Sequence, residues 1–278
     1  MAIQDFNSGV TRIVNIVLTP FESFQPIWPL AIVSLVMGIF MLLIFRHTSN
    51  QKEIRKTKDR IKGHLIEIRL FKDNLRVLLS AQKKILLYNL KYMALAVKPM
   101  LFMILPVGIA LIQMNDWFGL RPLRPGESAV VAVSVSHEKA ADLSDVAVEV
   151  DQGLTIETPA LRMADADEVD WKIRADAPGE HLVTVRASGY TFHKQVVVSE
   201  SPLVRVSSVR VAATTLWDPF FNPGEEPLPA NPLVKRIEVG YPHRLIEILG
   251  WKFHWLLVFF VLSIVSGLAF KRFFKVEI

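Results

Sequence analysis

Nineteen consecutive residues without a formal charge, Ile27 to Phe45 ("IWPLAIVSLVMGIFMLLIF"), constrain this chain more than any other stretch. As a helix rising ~1.5 Å per residue the run is about 28 Å long, close to the hydrocarbon thickness of a bilayer. Two further runs share its character. Pro99 to Met114 is lengthened by Tyr92 to Val97 on one side and closed by Asn115, Asp116, Trp117 and Phe118 on the other, a polar and aromatic interfacial mix. Phe253 to Phe270 is bracketed by Trp251, Lys252 and Trp255 and then by Lys271 and Arg272, an aromatic belt and a basic stop. The sequence predicts three transmembrane helices, over residues 27–46, 92–118 and 251–271, and Pro106 marks a place where the second can kink. A content of 51% hydrophobic and 21% charged residues in 278, with a mean hydropathy of +0.32, requires membrane and aqueous parts to alternate.

Charge orients the spans. Arg46 to Lys91 carries 13 Lys/Arg against 4 Asp/Glu, Phe118 to Gly250 carries 13 against 19, and the residues after Phe270 carry 3 against 1. Short basic loops stay cytoplasmic. The amino terminus is therefore expected outside, residues 47–91 and the tail 272–278 inside, and residues 119–250 outside. The first residues lack a basic n-region and a small-residue cleavage site, so the first span reads as a retained anchor. Within residues 1–26, Val10, Ile13, Val14, Val17 and Leu18 share one helical face, the pattern of a short helix lying on the outer interface.

The basic segment "RHTSNQKEIRKTKDRIKGHLIEIRLFKDN" is patterned as helix. Ile54, Ile61, Ile68 and Leu75 recur every seven residues, with Leu65 at a d-like position, so one narrow apolar stripe crosses a charged surface and requires a partner. Asn50 with Glu53 makes a cap-like start, and Asp73-Asn74 is a turn before a second helical run that feeds the second span. An antiparallel cytoplasmic hairpin over residues 47–91 follows, with Ile54, Ile61, Leu65 and Ile68 as contact residues. Its lysines and arginines either only obey the positive-inside rule and bind anionic lipid head groups, or serve docking and substrate handling.

The outer segment alternates with a period of two. "SAVVAVSVS", "VAVEV", "LTIETPALRM", "EVDWKIRA", "HLVTVRASG", "YTFHKQVVVSE" and "VRVSSVRVA" are separated by turns such as Asp151-Gln152-Gly153 and Ala177-Pro178-Gly179. About seven strands in about 90 residues predict an antiparallel, immunoglobulin-like β-sandwich over residues 119–213, held without any cysteine. After Ala213, "DPFFNPGEEPLPANP" reads as a Pro-rich linker, residues 214–250, returning the chain to the membrane. The fold class expected is thus a membrane protein of α and β parts.

Chemistry-bearing motifs are weak. Asp165, Asp167, Glu168 and Asp170 resemble part of a calcium loop, but that loop's glycine and distal glutamate are missing, so an acidic surface turn is the better reading. The histidines, His47, His64, His137, His181, His193, His243 and His254, have no paired ligand spacing. There is no Walker loop, GxGxxG or GxSxG. The sequence points to no enzyme, metal or cofactor, and topology explains the basic residues without nucleic acid. Within the spans, Lys98 either snorkels to the cytoplasmic interface or faces a wet groove that Ser34, Gln113, Ser263 and Ser266 would share. Serine and the small residues Gly38, Gly108 and Gly267 also mark helix packing.

An outside amino terminus, one span, a basic cytoplasmic hairpin and two further spans, carried above all by the hairpin stretch quoted above, resemble the minimal core of the YidC/Oxa/Alb superfamily of membrane-protein insertases. The resemblance covers about residues 24–117 and 253–271. It implies a hairpin that receives ribosomes or hydrophobic clients and a groove, here Lys98, Gln113, Ser34, Ser263 and Ser266, that eases polar segments across. It also implies residence in a bacterial inner membrane. This chain departs from the pattern in lacking a span-one arginine and in carrying a sandwich between spans two and three. Two functions remain: an insertase-like or chaperone-like membrane protein, or a scaffold subunit that binds an envelope protein through its sandwich and a cytoplasmic partner through its hairpin. A cytoplasm-open polar cavity near Lys98 and Gln113 would favour the first, and a dry bundle packed through Gly38, Gly108 and Gly267 the second.

Overall fold

A computed structural model describes residues 2–136, 143–215, 217–229 and 233–277 of an α+β chain. Its helices are α1 (Ala2–Leu18), α2 (Ile27–Thr48), α3 (Gln51–Leu70), α4 (Leu75–Met114), the single turn α5 (Asp218–Phe221) and α6 (Trp255–Phe270). The chain divides into a β-rich unit, Met1–Leu30 with Ala110–Trp255, and a helical unit, Ala31–Ile109 with Leu256–Ile278.

Two helical segments are long and apolar enough to cross a membrane, Ile27–Thr48 and Leu75–Gly119. Only 28% and 6% of their most apolar windows are buried by the rest of the protein, whereas the core helix of a water-soluble domain is mostly buried. α4 runs unbroken from the basic segment to Met114, through both Pro99 and Pro106. Each proline lacks the N–H that would bond the carbonyl of Leu95 or Phe102, a loss the helix tolerates here. The run expected to form a third span over 251–271 is helical only from Trp255, for 16 residues or about 24 Å. Its first four residues are instead taken into a strand.

The helical unit contains the expected hairpin. The Asn50 side chain accepts from the Glu53 N–H at 3.2 Å to start α3, and Asn74 accepts from the Val77 N–H at 3.3 Å to start α4. Across the seam Lys91 pairs with Glu53 at 3.0 Å, and Arg60 donates to the Tyr88 hydroxyl at 2.9 Å. His64 stacks on the Tyr88 ring. α2 and α6 touch through small residues: the Ser266 hydroxyl donates to the Leu35 carbonyl at 3.0 Å. A side chain at Gly38 would run into the Ser263 carbonyl and lie 2.9 Å from the Ser266 Cβ, while one at Gly108 would meet nothing. The carboxyl-terminal segment closes on α3, where the Glu277 N–H donates to Gln51 at 2.7 Å and Val276 is buried.

The β-rich unit has strands β1 (Ser128–Val135), β2 (Ala147–Val150), β3 (Leu154–Ile156), β4 (Leu161–Met163), β5 (Glu168–Ala175), β6 (Gly179–Ala187), β7 (Tyr190–Val198), β8 (Val209–Val211), β9 (Val234–Val239), β10 (Leu245–Ile248) and β11 (Trp251–His254). An antiparallel sheet in the order β3-β5-β1-β9-β8, with β4 also on β5, shares one apolar core with the antiparallel sheet β2-β6-β7. Val131, Val133, Trp171 and Ile173 of the first meet Val183, Val185, Phe192 and Val196 of the second in that core, the inward half of each alternating strand.

Three expectations change here. Residues 214–250 are not a linker throughout: β9 lies between β1 and β8 and buries Val234, Ile237 and Val239. Its sequence, "VKRIEV", hides its alternation because β9 carries an extra residue, Lys235, opposite the step from Ser134 to Val135 of β1. The run "LTIETPALRM" splits into β3 and β4, and of "VRVSSVRVA" only Val209–Val211 is a strand. The third change is the β10–β11 hairpin, paired from Leu245↔His254 to Ile248↔Trp251, with Leu249 and Gly250 at its turn (φ 52° and 82°). That pairing shortens α6 at its start.

Two outcomes test this packing. Gly38→Leu should lower the stability of the helical unit by about 1–3 kcal/mol through overpacking. Gly108→Leu should leave it unchanged, both read as thermal unfolding in detergent. In the β-rich unit, Arg121 hydrogen-bonds both Glu127 oxygens (2.7 and 2.9 Å) and, with the Arg124 N–H, holds that carboxyl below its usual range. A depressed carboxylate contributes stability above its unfolded pKa and loses it as pH falls through the folded one. The stability advantage of the native chain over Glu127→Gln, followed by urea titration of tryptophan fluorescence, should be full at neutral pH and vanish as pH falls below the ordinary glutamate value of about 4.3.

Candidate functional site

The hairpin seam is built from the face expected of it, with one exception. Ile54 and Thr57 are buried, Ile61 and Ile68 are half-buried against α4, and Leu65 is exposed. Leu65 precedes Ile68 by three residues, about 60° around the helix, which turns it out of the seam. Ile66, Leu70, Phe71 and Leu75 near the connection between the helices are exposed as well. The same surface continues along α4. Leu79, Leu86, Leu90, Met93, Val97 and Ile104 are all exposed at spacings of three, four or seven, a stripe about 37 Å long at ~1.5 Å per residue.

The five residues expected to line a groove do not form one. Ser34, Ser263 and Ser266 belong to the α2–α6 contact: Ser34 is fully buried and Ser266 bonds Leu35. Lys98 is exposed on α4. Gln113 is 3% exposed in the β-rich unit, where it accepts from the Thr11 hydroxyl at 3.0 Å and donates to Asn7 at 2.9 Å. Asn7 in turn donates to the Pro219 carbonyl at 2.8 Å. A polar residue in an apolar run is thus explained by a partner far away in the chain, and the partners lie on α1. Gly38 and Gly267 sit in the α2–α6 contact, whereas Gly108 packs on nothing.

Asn7, Thr11 and Pro219 of that network line a cleft of about 1190 Å³ within the β-rich unit. One wall is α1, through Ser8, Thr11, Arg12 and Asn15; the other is the proline-rich segment Pro223–Leu228. Buried charges hold the second wall in place. Lys194 of β7 is completely buried, pairs with Glu225 and donates to the Ser207 carbonyl at 2.8 Å. Burial pulls its amino group below the usual lysine range, against the opposing pull of Glu225. Arg205 reaches Asp116 at 3.4 Å and the Pro223 carbonyl at 2.9 Å. A side chain at Gly224 would strike Ser207, so the wall approaches this closely only with glycine there. Nearby, Arg244 donates to the carbonyls of Leu120, Pro202 and Val204, and burial pushes its guanidinium down to about 10.

Sequence reasoning missed these buried charges, although one signal was present. In "YTFHKQVVV" Lys194 occupies an inward position between Phe192 and Val196, where alternation demands an apolar residue. The histidines have local roles: His47 contacts the Leu43 carbonyl, His181 Asp151 and the Ala177 carbonyl, His193 the Thr184 hydroxyl. His137 lies outside the described residues. Asp165 sits in a short helical turn and Asp167 follows it at φ 52°, while Glu168 and Asp170 lie on β5. Among the described residues no three His, Asp or Glu side chains converge on a metal position.

Removing one member of the buried pair should be costly and removing both much less so. Lys194→Met strands the Glu225 carboxylate and should destabilise the β-rich unit by about 3–5 kcal/mol, whereas Lys194→Met with Glu225→Leu should recover most of that loss. Thermal unfolding of the three proteins compares the two. None of the protein-family models, curated proteins or solved structures compared with this chain matches it.

Proposed function

We propose that this chain is an insertase-like or chaperone-like integral membrane protein of the YidC/Oxa/Alb type, assisting insertion or assembly of membrane-protein clients in a bacterial inner membrane. In this reading α2, α4 and α6 are the spans, the α3–α4 hairpin and the carboxyl terminus are cytoplasmic, and the β-rich unit is an extracytoplasmic immunoglobulin-like sandwich. The observation that carries it is the exposed stripe of α4. Leu79, Leu86 and Leu90 lie among Lys83, Lys84 and Lys91, outside the most apolar part of the helix, yet from Leu86 onward the stripe runs on into Met93, Val97 and Ile104, with Lys83 alone interrupting it after Leu79. A lipid-facing surface has no need to extend into a basic aqueous segment, whereas a surface that receives an apolar client before it enters the bilayer does. Transfer of the client's apolar surface out of water supplies the driving force, and no nucleotide or cofactor is required. The client path is assigned to this stripe with Leu65 and Lys98, because Ser34, Gln113, Ser263 and Ser266 are committed elsewhere.

A second reading, a non-catalytic scaffold of an envelope complex, is favoured by the close contact of α2 and α6 at Gly38 and Gly267 and by the built cleft beside α1. Site-specific photocrosslinking in cells separates the two. With probes at Leu65, Leu90, Lys98 and Val97, newly synthesised membrane proteins should be captured, and a probe at the buried Gln113 should capture none. A single stable partner at the α4 positions, with no newly made chains, would sink the client reading and leave the scaffold.

A further inference from the structure

α1 sits in the β-rich unit with its polar side turned inward. Asn7, Thr11 and Asn15, spaced by four, share one side of the helix; Asn7 is buried and the other two are half-buried. All three bond to the last turns of the helical segment Leu75–Gly119. Asn7 and Thr11 bond Gln113, and Asn15 accepts from the Trp117 indole N–H at 3.3 Å. The opposite side is apolar and bare. Ile13 and Val17 each stand two residues from Asn15, about 200° around the helix. Ile13 is 64% exposed, Ile16 68%, and Val17 is exposed as well. Leu18, expected to share this face, is buried, and Val10 and Val14 are half-buried. A helix on the surface of a water-facing domain has the reverse pattern, apolar side in and polar side out.

The inverted pattern and the neighbours of α1 identify what covers the bare side. The β-rich unit includes one end of each segment that is long and apolar enough to cross a membrane, residues 27–30 and residues 110–119. α1 is fastened to the second by side-chain hydrogen bonds and leads into the first through residues 19–26, with Trp28 exposed in the first turn of α2. A glutamine in an apolar run needs a polar partner wherever water is scarce, and α1 supplies two. Association through polar side chains, with apolar side chains left outward, is the arrangement that suits helices in lipid. As a helix, α1 also satisfies its own backbone groups, as that setting requires. Gln113 and Trp117 lie where the apolar run of α4 gives way to polar and aromatic residues, which sets the level of α1 at the boundary of acyl chains and head groups. From this we infer that the outward side of α1, Ile13, Ile16 and Val17, is seated in the outer leaflet at that boundary. Arg12, exposed at a spacing of four from Ile16, reaches the phosphates from its edge. The occupant of the bare side is lipid. The inference rests on the proposed reading of α2 and α4 as spans, and goes beyond it by giving the β-rich unit a membrane contact of its own.

The chain has no cysteine, so single cysteines report individual sites. The full-length protein, with one cysteine at Ile13, Ile16, Val36 or Ser201 carrying an environment-sensitive fluorophore, is reconstituted into vesicles of phosphatidylcholine and phosphatidylglycerol. Quenching by nitroxides attached at shallow and deep positions of the acyl chains is compared with quenching by iodide present on both sides of the membrane. Emission at Ile13 and Ile16 should be blue-shifted and lost to the lipid nitroxides, with iodide quenching several-fold weaker than at Ser201, where iodide alone should act. Val36, exposed in the middle of α2, tests the span itself. Lipid quenching at Val36 with iodide quenching at Ile13 and Ile16 overturns the inference and leaves the span standing. Iodide quenching at Val36 overturns the span, and the inference with it, whatever the probes on α1 report. Protection of Ile13 and Ile16 from both quenchers means that protein covers this side, a second copy or another chain, and also overturns the inference. Ile16→Asn with Val17→Asn changes only exposed positions, so the protein should still fold, and the Ile13 probe should move towards iodide. An unchanged Ile13 probe would show that these side chains do not hold α1 in lipid.

Discussion

Apolar surface that the chain does not cover for itself is the constraint on which this structure depends. The most apolar windows of the segments Ile27–Thr48 and Leu75–Gly119 are left almost bare by the remainder of the protein, and burying one large apolar side chain is worth about 1.5–3 kcal/mol. Both segments are long and apolar enough to cross a membrane, and as helices they satisfy their backbone groups internally. The packing between α2 and α6 uses small residues. Between these two apolar helices Gly38 allows close approach and Ser266 adds a hydrogen bond to the Leu35 carbonyl.

The β-rich unit obeys a different economy, that of a water-facing core. Its two sheets bury alternating valines against each other, and the unit then recruits pieces from distant parts of the sequence: α1 from the beginning, the end of α4 through Gln113, and β9 from beyond the proline-rich stretch. Polar side chains carry these long-range ties. Thr11, Gln113 and Asn7 hand hydrogen bonds from one to the next, and Lys194 with Glu225 fastens the proline-rich wall to β7. Such groups add little net stability when fully satisfied and cost several kcal/mol when one partner is lost, so they specify arrangement more than they strengthen it.

Legibility of the candidate site differed residue by residue. Ile54, Ile61 and Ile68 were readable because a heptad stripe on a charged helix demands a packing partner along its whole length. Leu65 shared the pattern but lies off the centre of the seam, a distinction of about 60° that spacing alone resolves poorly. Ser266 and Gln113 were readable as polar residues that needed partners, but the partners, a backbone carbonyl on the neighbouring helix and two side chains on α1, are set by contacts between distant segments. The inward Lys194 was visible as a break in alternation, whereas Glu225 sits in a proline-rich stretch with no periodicity to flag it.

The sequence by itself determined the apolar helices, the basic hairpin with its Asn50 cap and its turn at Asp73-Asn74, and most of the strands, because each of these rests on local periodicity, length and charge within a single segment. Only the tertiary structure decided that β9 belongs inside the sheet, that α1 and Gln113 serve the β-rich unit, and that Trp251–His254 is strand where apolar composition predicted helix. The first two outcomes turn on pairing and burial between residues far apart in the chain, the third on pairing with the adjacent strand β10. Local propensity carries no record of a partner a hundred residues away, and hydrogen-bond satisfaction with that partner overrides it.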